Sequence, residues 1–434
     1  MILVFACVII GHQLVFLLMR RRFDPFDVRT LIDVVLLTMW VYAPLTDRSL
    51  RFSLENDLSF SFTTLLGIVS LYIGLHLPIW KRQTASIFQS RAPILHMQWL
   101  WLTLFLASTL LLTYQKIQLS SGDIWGYLTG DRLSAYQVFL TEEYRGSISG
   151  RIISFTQPIL LLWLAIALER KRWMQASLLY LVLFAGIVLI ATVRLPIIIL
   201  LLIPVYYYYR SRNRPVTIPA TLICVSVFVL LMFVLNIWRS SGLRDIQNID
   251  FSGRGLFNSI ELNFNPIRGY EKLWQMHANG QMHYEYGLTY LYVPLTAIPR
   301  ALWQNKPQVS MEARWTTYLF GQHFAVADEG WGVWTFTVWG EGLVQFGVVG
   351  IFLNLFLYGI LIAWMENKIG RSPRFSLIWF YYSILAATYL RSSFTALAWT
   401  ILWVFLALGI FYYSSAKIRK PNISRCHQHL DAGF

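Results

Sequence analysis

The run ASLLYLVLFAGIVLIATVRLPIIILLLIPVYYYY, from Ala176 to Tyr209, decides how this chain folds. As one helix, its roughly 34 residues would be about 50 Å long, whereas the hydrocarbon core of a membrane is about 30 Å thick. Basic residues flank the run at both ends, so both ends belong on the same side of the membrane. The segment from Thr192 to Pro196 interrupts the run, and proline disfavours helix at the residue before it. The sequence therefore predicts two membrane helices that reverse at this segment.

Similar apolar runs recur along the whole chain. The 434 residues are 56% hydrophobic and only 13% charged, whereas about a quarter of a soluble domain is charged. The first run, from Ile2 to Met19, has no basic residues before it and is followed by Arg20, so we expect a retained helix and not a cleaved signal peptide. We predict an all-α polytopic membrane protein with about eleven transmembrane helices, at about 2–19, 30–46, 59–80, 94–114, 151–168, 174–193, 195–209, 216–238, 345–364, 375–390 and 394–413.

Basic residues indicate the orientation of these helices. Clusters such as Arg20 to Arg22, Arg170 to Arg172 and Lys417 to Lys420 fall in every second connection, so all of them lie on one side. The positive-inside rule makes that side cytoplasmic. We therefore expect a bacterial inner-membrane protein with a periplasmic N-terminus and a cytoplasmic C-terminus. The net charge of +14 is then a sign of topology and not of nucleic-acid binding.

We predict a single membrane domain over residues 1–434 with two periplasmic segments. The smaller segment covers 115–150 and the larger one covers 239–344, which is a GT-C-like plan of many helices and one large loop. Within the larger segment, the apolar stretch 288–299 (LTYLYVPLTAIP) is too short to cross the membrane, so we expect it to be re-entrant or interfacial. The three cysteines have no spacing typical of an external disulfide or a metal site.

Motifs for soluble activated substrates are absent from the sequence. It contains no GxxxxGK[ST] phosphate loop, no GxGxxG, no HExxH, no CxxC and no DxD. We therefore expect no cofactor, no bound metal and no nucleotide site. The activated substrate is then expected to reach the protein through the membrane.

The predicted outer side is rich in arginine, whose planar fork suits bidentate contact with phosphate. Arg194 and Arg391 lie at the outer ends of predicted helix hairpins, where ionisable residues are costly and usually functional. The alternative is that these arginines pair with outer acidic residues or with lipid phosphates. The candidates for binding a phosphate-bearing substrate are Arg194, Arg254, Arg268, Arg300, Lys306, Arg314 and Arg391.

Acidic residues near the end of the larger segment are candidates for proton transfer. Glu341 enters the predicted ninth helix, and Asp328 and Glu329 precede it. A carboxylate there could act as the general base for a sugar hydroxyl, or it could pair with a nearby arginine. His323 is a further candidate base, against the alternative of a solvated loop histidine.

Three patches of the sequence resemble a known family. IPRALWQNKPQ (298–308) is similar to the loop signature of bacterial O-antigen and oligosaccharide repeat-unit polymerases of the Wzy type, in which a proline, a basic residue, a tryptophan and a Lys/Arg-Pro pair recur at this spacing. WGEGLVQFGVVG (339–350) resembles the Gly-Glu and Phe-Gly of that family. ATVRLPIII (191–199) is similar to its arginine between paired helices. The residues that match by position are Arg194, Arg300, Lys306 and Glu341.

The resemblance implies that glycan repeat units carried on undecaprenyl pyrophosphate are polymerised at the periplasmic face. A hydroxyl of the acceptor would attack the anomeric carbon of the donor, and lipid pyrophosphate would leave against arginines instead of a metal. Membrane lipids surround the protein, and a chain-length regulator and a flippase are expected partners. Two alternatives remain, namely an O-antigen ligase or other lipid-linked glycosyltransferase, and a non-enzymatic flippase or transporter.

Overall fold

The computed structural model describes residues 1–20, 24–77, 98–120, 148–190, 194–211, 230, 266–295, 298, 303, 311–320, 335–370 and 375–417. Every regular element in these ranges is a helix. We number them α1 (Ile2–Arg20), α2 (Val28–Thr46, with a π-helical stretch at Thr38–Tyr42), α3 (Arg48–Asn56), α4 (Leu58–His76), α5 (Gln98–Ser120), α6 (Ile148–Glu169), α7 (Trp173–Ile190), α8 (Arg194–Ser211), α9 (Pro266–Ala278), α10 (Leu288–Leu295), α11 (Met311–Phe320), α12 (Thr337–Met365), α13 (Ser376–Tyr389) and α14 (Phe394–Lys417).

The helices confirm a polytopic membrane protein. Within the described ranges, six stretches are long and apolar enough to cross a membrane: Ile2–Met19, Val28–Thr46, Leu58–His76, Trp99–Gln118, Ser149–Glu169 and Thr337–Ile369. Three shorter apolar helices are Trp173–Leu189, Leu195–Ser211 and Phe394–Ile410. Of the predicted helix 216–238, only Leu230 is described, so the number eleven stays a prediction.

The predicted reversal after residue 190 separates two helices, as expected. α7 ends at Ile190 and α8 begins at Arg194. The Tyr180 hydroxyl donates to the Leu200 carbonyl at 3.2 Å, which brings together residues equally far from Ile190 and makes the pair an antiparallel hairpin. Pro196 lies in the first turn of α8, where backbone N–H groups have no partner within the helix.

The helix α12 is a hairpin and not one straight helix. Phe346 and Gly347 leave helical geometry, and Gly347 has φ 65° and ψ −150°, a conformation that is essentially restricted to glycine. The backbones of Gly342 and Gly350 touch, and the Asn354 amide donates to the Val338 carbonyl at 2.9 Å. Residues 337–345, which we call the half-helix, therefore run antiparallel to 348–365. The half-helix is about 13 Å long and does not cross the membrane.

The helix α4 holds both arms of this hairpin in place. Gly74 of α4 and Gly359 of the long arm lie against each other's backbones, a small-residue contact typical of membrane helices. On the half-helix, the Trp339 indole donates to the Thr64 carbonyl of α4 at 3.3 Å. The Trp339 ring also packs on Trp40 of α2, with 5.3 Å between ring centroids. The half-helix is thus fixed in the core of the protein.

Four polar side chains of three membrane helices form one hydrogen-bonded cluster. Asp33 of α2 is buried and lies 2.9 Å from Nδ1 of His12 in α1. The Tyr72 hydroxyl of α4 donates to the same carboxylate at 2.8 Å. Nε2 of His12 lies 2.9 Å from Nε2 of His76. Because unpaired polar groups are costly in a membrane, this cluster stabilises the packing of α1, α2 and α4.

Candidate active site at the half-helix

The half-helix contacts several parts of the chain that are distant in sequence. On one side, Gly340 packs against Tyr270 and Leu273 of α9. At its C-terminal end, the carbonyls of Val344 and Gln345 accept hydrogen bonds of 3.0 Å from the backbone of residues 285–286. At its N-terminal end, the Val338 amide donates to the Leu390 carbonyl at 3.1 Å. The half-helix therefore joins the segment before α10 to the turn between α13 and α14.

Glu341 lies at the centre of this arrangement and is fully buried. Its carboxylate accepts hydrogen bonds from the backbone N–H groups of Phe394 and Thr395, the latter at 3.3 Å. These are the first N–H groups of α14, where the helix dipole favours a negative charge. Glu341 is therefore a buried helix cap, a role that neither prediction for this residue included. It lies in the half-helix and not at the entrance of the membrane-spanning arm, because the chain reverses after it.

Arg391 belongs to the same corner. It lies in the turn between α13 and α14, three residues before Phe394, and it is half-buried. A guanidinium stays protonated in proteins, so Arg391 carries a positive charge. The structure thus brings two of the predicted site residues, Glu341 and Arg391, to one turn, with the arginine still charged.

The turn that carries Arg391 is recessed. The helix α13 has 14 residues and is about 21 Å long, which is shorter than the roughly 30 Å hydrocarbon core. The helix α14 has 24 residues and is long enough to continue beyond α13 at its other end. The turn lies at the end of these helices opposite to Lys368 and Lys417. Ionisable residues at the ends of membrane helices, such as Arg391 and Glu341, are costly to bury and usually functional.

A second polar cluster surrounds the tip of the half-helix. The Arg314 guanidinium of α11 donates to both carboxylate oxygens of Glu285, at 3.0 and 2.6 Å. Gln345 and Thr289 donate to the same carboxylate at 2.9 and 2.5 Å, and Trp315 donates to it at 3.0 Å. The carbonyl oxygen of the Gln345 amide accepts a 2.9 Å bond from the backbone N–H of residue 287. We call Glu285, Arg314 and Gln345 the tip clamp.

The tip clamp is electrostatically satisfied. Burial alone would raise the pKa of Glu285, but the hydrogen bonds from Arg314, Thr289 and Gln345 outweigh it and hold the pKa below its usual value. Arg314 was predicted to bind substrate; its guanidinium is bonded to Glu285 in this structure, and a role in substrate binding stays a prediction. Sequence reasoning missed Glu285 and Gln345, because nothing near them in the sequence indicates a partner at residue 314.

Arg268 also binds a carboxylate. Its Nε donates to Asp47 at 2.6 Å, and Asp47 caps the start of α3. On the same helix, Trp274 donates to Asp57 at 2.8 Å, and Glu271 bonds to Ser53. These contacts fasten α9 to α3. Arg268 is therefore paired with an acidic residue, which was the alternative to substrate binding for the outer arginines.

Comparison with protein families gives a match over most of the chain. The family described as O-antigen polysaccharide polymerase Wzy matches residues 3–420, nearly the whole chain. The chain belongs to this family. No curated protein and no solved structure shows significant similarity to it.

Membership in the Wzy family confirms the resemblance seen in the three sequence patches. It identifies a glycosyltransferase-type polymerase of O-antigen biosynthesis that acts on lipid-linked oligosaccharide repeat units in membranes. The patch 339–350 now has a structural meaning, because its glycines form the reversal and the close contact within α12.

Several predicted site residues of this Wzy protein lie outside the described residues, namely Arg254, Arg300, Lys306, His323, Asp328 and Glu329. Arg194 is the first residue of α8, and the position of its side chain is not described. The predicted short segment 288–299 contains α10, which has eight residues and packs against α14. Among the described residues, no group of three His, Cys, Asp or Glu side chains could hold a metal ion.

Proposed function

We propose that this Wzy protein polymerises undecaprenyl-pyrophosphate-linked oligosaccharide repeat units into O antigen or a related surface polysaccharide at the periplasmic face of the inner membrane. The observation that carries the proposal is the recessed turn of this Wzy protein, which contains Arg391 and is followed by the N–H groups that bind Glu341. The sequence has no motif for a soluble nucleotide sugar, and a polyprenyl pyrophosphate already carries the activated glycosidic bond.

The proposed reaction transfers the growing glycan from one lipid to another repeat unit. A hydroxyl of the acceptor forms a bond to the anomeric carbon of the donor, and the bond from that carbon to the pyrophosphate oxygen breaks. Arg391 stabilises the charge that develops on the leaving pyrophosphate. Arg194, Arg300 and Lys306, which match the family pattern by position, are proposed to complete its binding site.

The hydroxyl proton passes to a carboxylate in this mechanism. Glu341 is the proposed base, because it lies in the same corner as Arg391. Because Glu341 is fully buried, the acceptor reaches it only after neighbouring side chains move. The proposed one is Tyr290 of α10, whose ring is 5.6 Å from that of Phe394. Asp328, Glu329 and His323 are the alternative bases.

The proposal includes an orientation, the partners and the absence of a metal. The basic helix ends face the cytoplasm, so the N-terminus and the recessed turn face the periplasm. A flippase supplies the lipid-linked units, and a chain-length regulator sets the product length. Polymerisation in membranes should continue in the presence of EDTA. If EDTA abolished the activity and magnesium or manganese restored it, the proposed role of the arginines at the leaving pyrophosphate would belong to a metal ion.

Deletion of the protein tests the proposed function against its alternatives. The deletion strain should carry a lipid A core with a single repeat unit, because export and ligation continue. Loss of an O-antigen ligase would leave bare core with polymer on undecaprenyl pyrophosphate. Loss of a flippase would leave single lipid-linked units on the cytoplasmic side. Either of these two patterns in gels and lipid extracts would contradict the proposal.

A further inference from the structure

A groove of 890 Å³ lies between α6, α7 and α8, far along the chain from the half-helix. Its lining extends along α7 from Trp173 to Leu181, about 12 Å along the helix axis. The volume is in the upper part of the roughly 300–1,000 Å³ range of ligand sites. Trp173 is 57% exposed and Leu181 59% exposed. Since these side chains line the groove, it is open along its side to the surrounding lipid.

Two tyrosines hold the walls of the groove in position. Pro204 of α8 has no N–H for the Leu200 carbonyl four residues before it, and the Tyr180 hydroxyl of α7 donates to that carbonyl at 3.2 Å. The Tyr207 hydroxyl of α8 donates to the Leu168 carbonyl of α6 at 3.2 Å. Hydrogen bonds to backbone carbonyls therefore fix α8 against both α7 and α6. The groove is part of the fold and not a gap between loosely packed helices.

The mouth of the groove is basic and its depth is apolar. Lys171 lines the mouth together with Glu169. Arg170 and Arg172 are also exposed and flank Lys171 in the turn between α6 and α7, so the basic charges of this turn outnumber the one acidic charge. Deeper in the membrane the lining is aliphatic and aromatic, with Leu164, Leu181 and Ile203 among its residues. A ligand that fits both parts has an anionic head and a hydrocarbon tail.

We infer that this groove binds one phospholipid with an anionic headgroup, taken from the membrane leaflet at the basic end of α6, α7 and α8. An acyl chain lies along α7 between Ala176 and Leu181, and the headgroup phosphate is neutralised by Lys171 and Arg172. Basic side chains next to a membrane attract anionic lipids by charge, and the aliphatic lining gives the chain an apolar surface to bury. The site is separate from the recessed turn and does not depend on the proposed function.

Native mass spectrometry of the purified full-length protein tests this inference. The probes are phosphatidylglycerol and phosphatidylcholine with identical acyl chains. One phosphatidylglycerol per protein should be retained at detergent concentrations that remove phosphatidylcholine. The double variant Lys171→Asn/Arg172→Gln should bind phosphatidylglycerol roughly thirtyfold more weakly, because two charges near the headgroup are lost. Asparagine suits position 171 because Lys171 has φ 55°.

Three further variants make the result decisive. Ser177→Trp, which places a large side chain at an exposed position of the lining, should abolish retention of phosphatidylglycerol. Lys171→Arg should keep the binding, which shows that the fold survives changes at this position. Arg48→Gln removes an exposed charge on α3, at the opposite end of the helices, and should change nothing. Equal retention of the two lipids, or unchanged phosphatidylglycerol binding by Ser177→Trp, would overturn the inference.

Discussion

The substitution Glu341→Gln separates the two roles that this residue can have. The glutamine has the same shape and keeps one oxygen that accepts a hydrogen bond from the N-terminal N–H groups of α14. It loses the charge that favours the helix dipole, and it loses the ability to take a proton. The first loss affects stability and the second affects only the reaction.

The structure sets the expected sizes of these two losses. A charge at a partly buried helix terminus contributes up to about 2 kcal/mol. A protein with about 5–15 kcal/mol of stability remains almost entirely folded after such a loss. Loss of a general base would slow the reaction by roughly 10²–10⁴-fold. A large loss of activity with a small loss of stability therefore identifies the base.

The assay is the rate of polymer formation by purified protein, together with its thermal unfolding in detergent. Glu271→Gln is the matched control, because Glu271 is also a buried carboxylate with a hydrogen bond but lies on α9, away from the recessed turn. This control should keep its rate. A folded Glu341→Gln protein with a wild-type rate and wild-type chain lengths would refute the role of Glu341 as the base, and Asp328, Glu329 and His323 would be tested next.

Three further substitutions test the scaffold and the site. Gly347→Ala should destabilise the protein by about 1–3 kcal/mol in thermal unfolding, because the conformation of Gly347 is essentially restricted to glycine. Gly409→Ala is its control, because a Cβ atom added at Gly409 has nothing within 4 Å. Equal stability of the two variants would contradict the reversal in α12. Arg314→Gln should lower the free energy of unfolding by about 3 kcal/mol, because the buried Glu285 carboxylate loses its partner. Adding Glu285→Gln should restore most of that stability. A stable double variant that remains inactive would show that Arg314 also binds substrate. Arg391→Lys should keep the fold and lose most of the polymerisation rate, because the planar fork is lost; full activity would mean that the fork has no role.

The membrane fold was largely predictable because it follows from local sequence. The length of the apolar run around residue 190, the proline at 196 and the flanking arginines were enough to predict two antiparallel helices, which the structure confirms. A membrane imposes a fixed thickness on each apolar run. The positions of the membrane helices can therefore be predicted without knowing which helices contact one another.

The half-helix could not be predicted in this way. WGEGLVQFGVVG is mostly apolar, with Glu341 and Gln345 as its polar side chains, and it has no proline, so hydropathy cannot distinguish a reversal from a continuous helix. The reversal depends on the conformation of Gly347 and on the contact of Gly342 with Gly350. The partners of Glu341 are likewise invisible in the sequence, since Phe394 is 53 residues away. The composition of this site was therefore partly predictable, but its geometry was not.

Reconstitution tests the proposed polymerase activity most directly. The purified protein is placed in lipid vesicles with undecaprenyl-pyrophosphate-linked repeat units as the sole substrate, and the products are separated by size. We predict a ladder of glycans that differ by one repeat unit, with one undecaprenyl pyrophosphate released for each bond formed. Repeat units that remain single until a lipid A core is added, and are then transferred to it, would contradict the account.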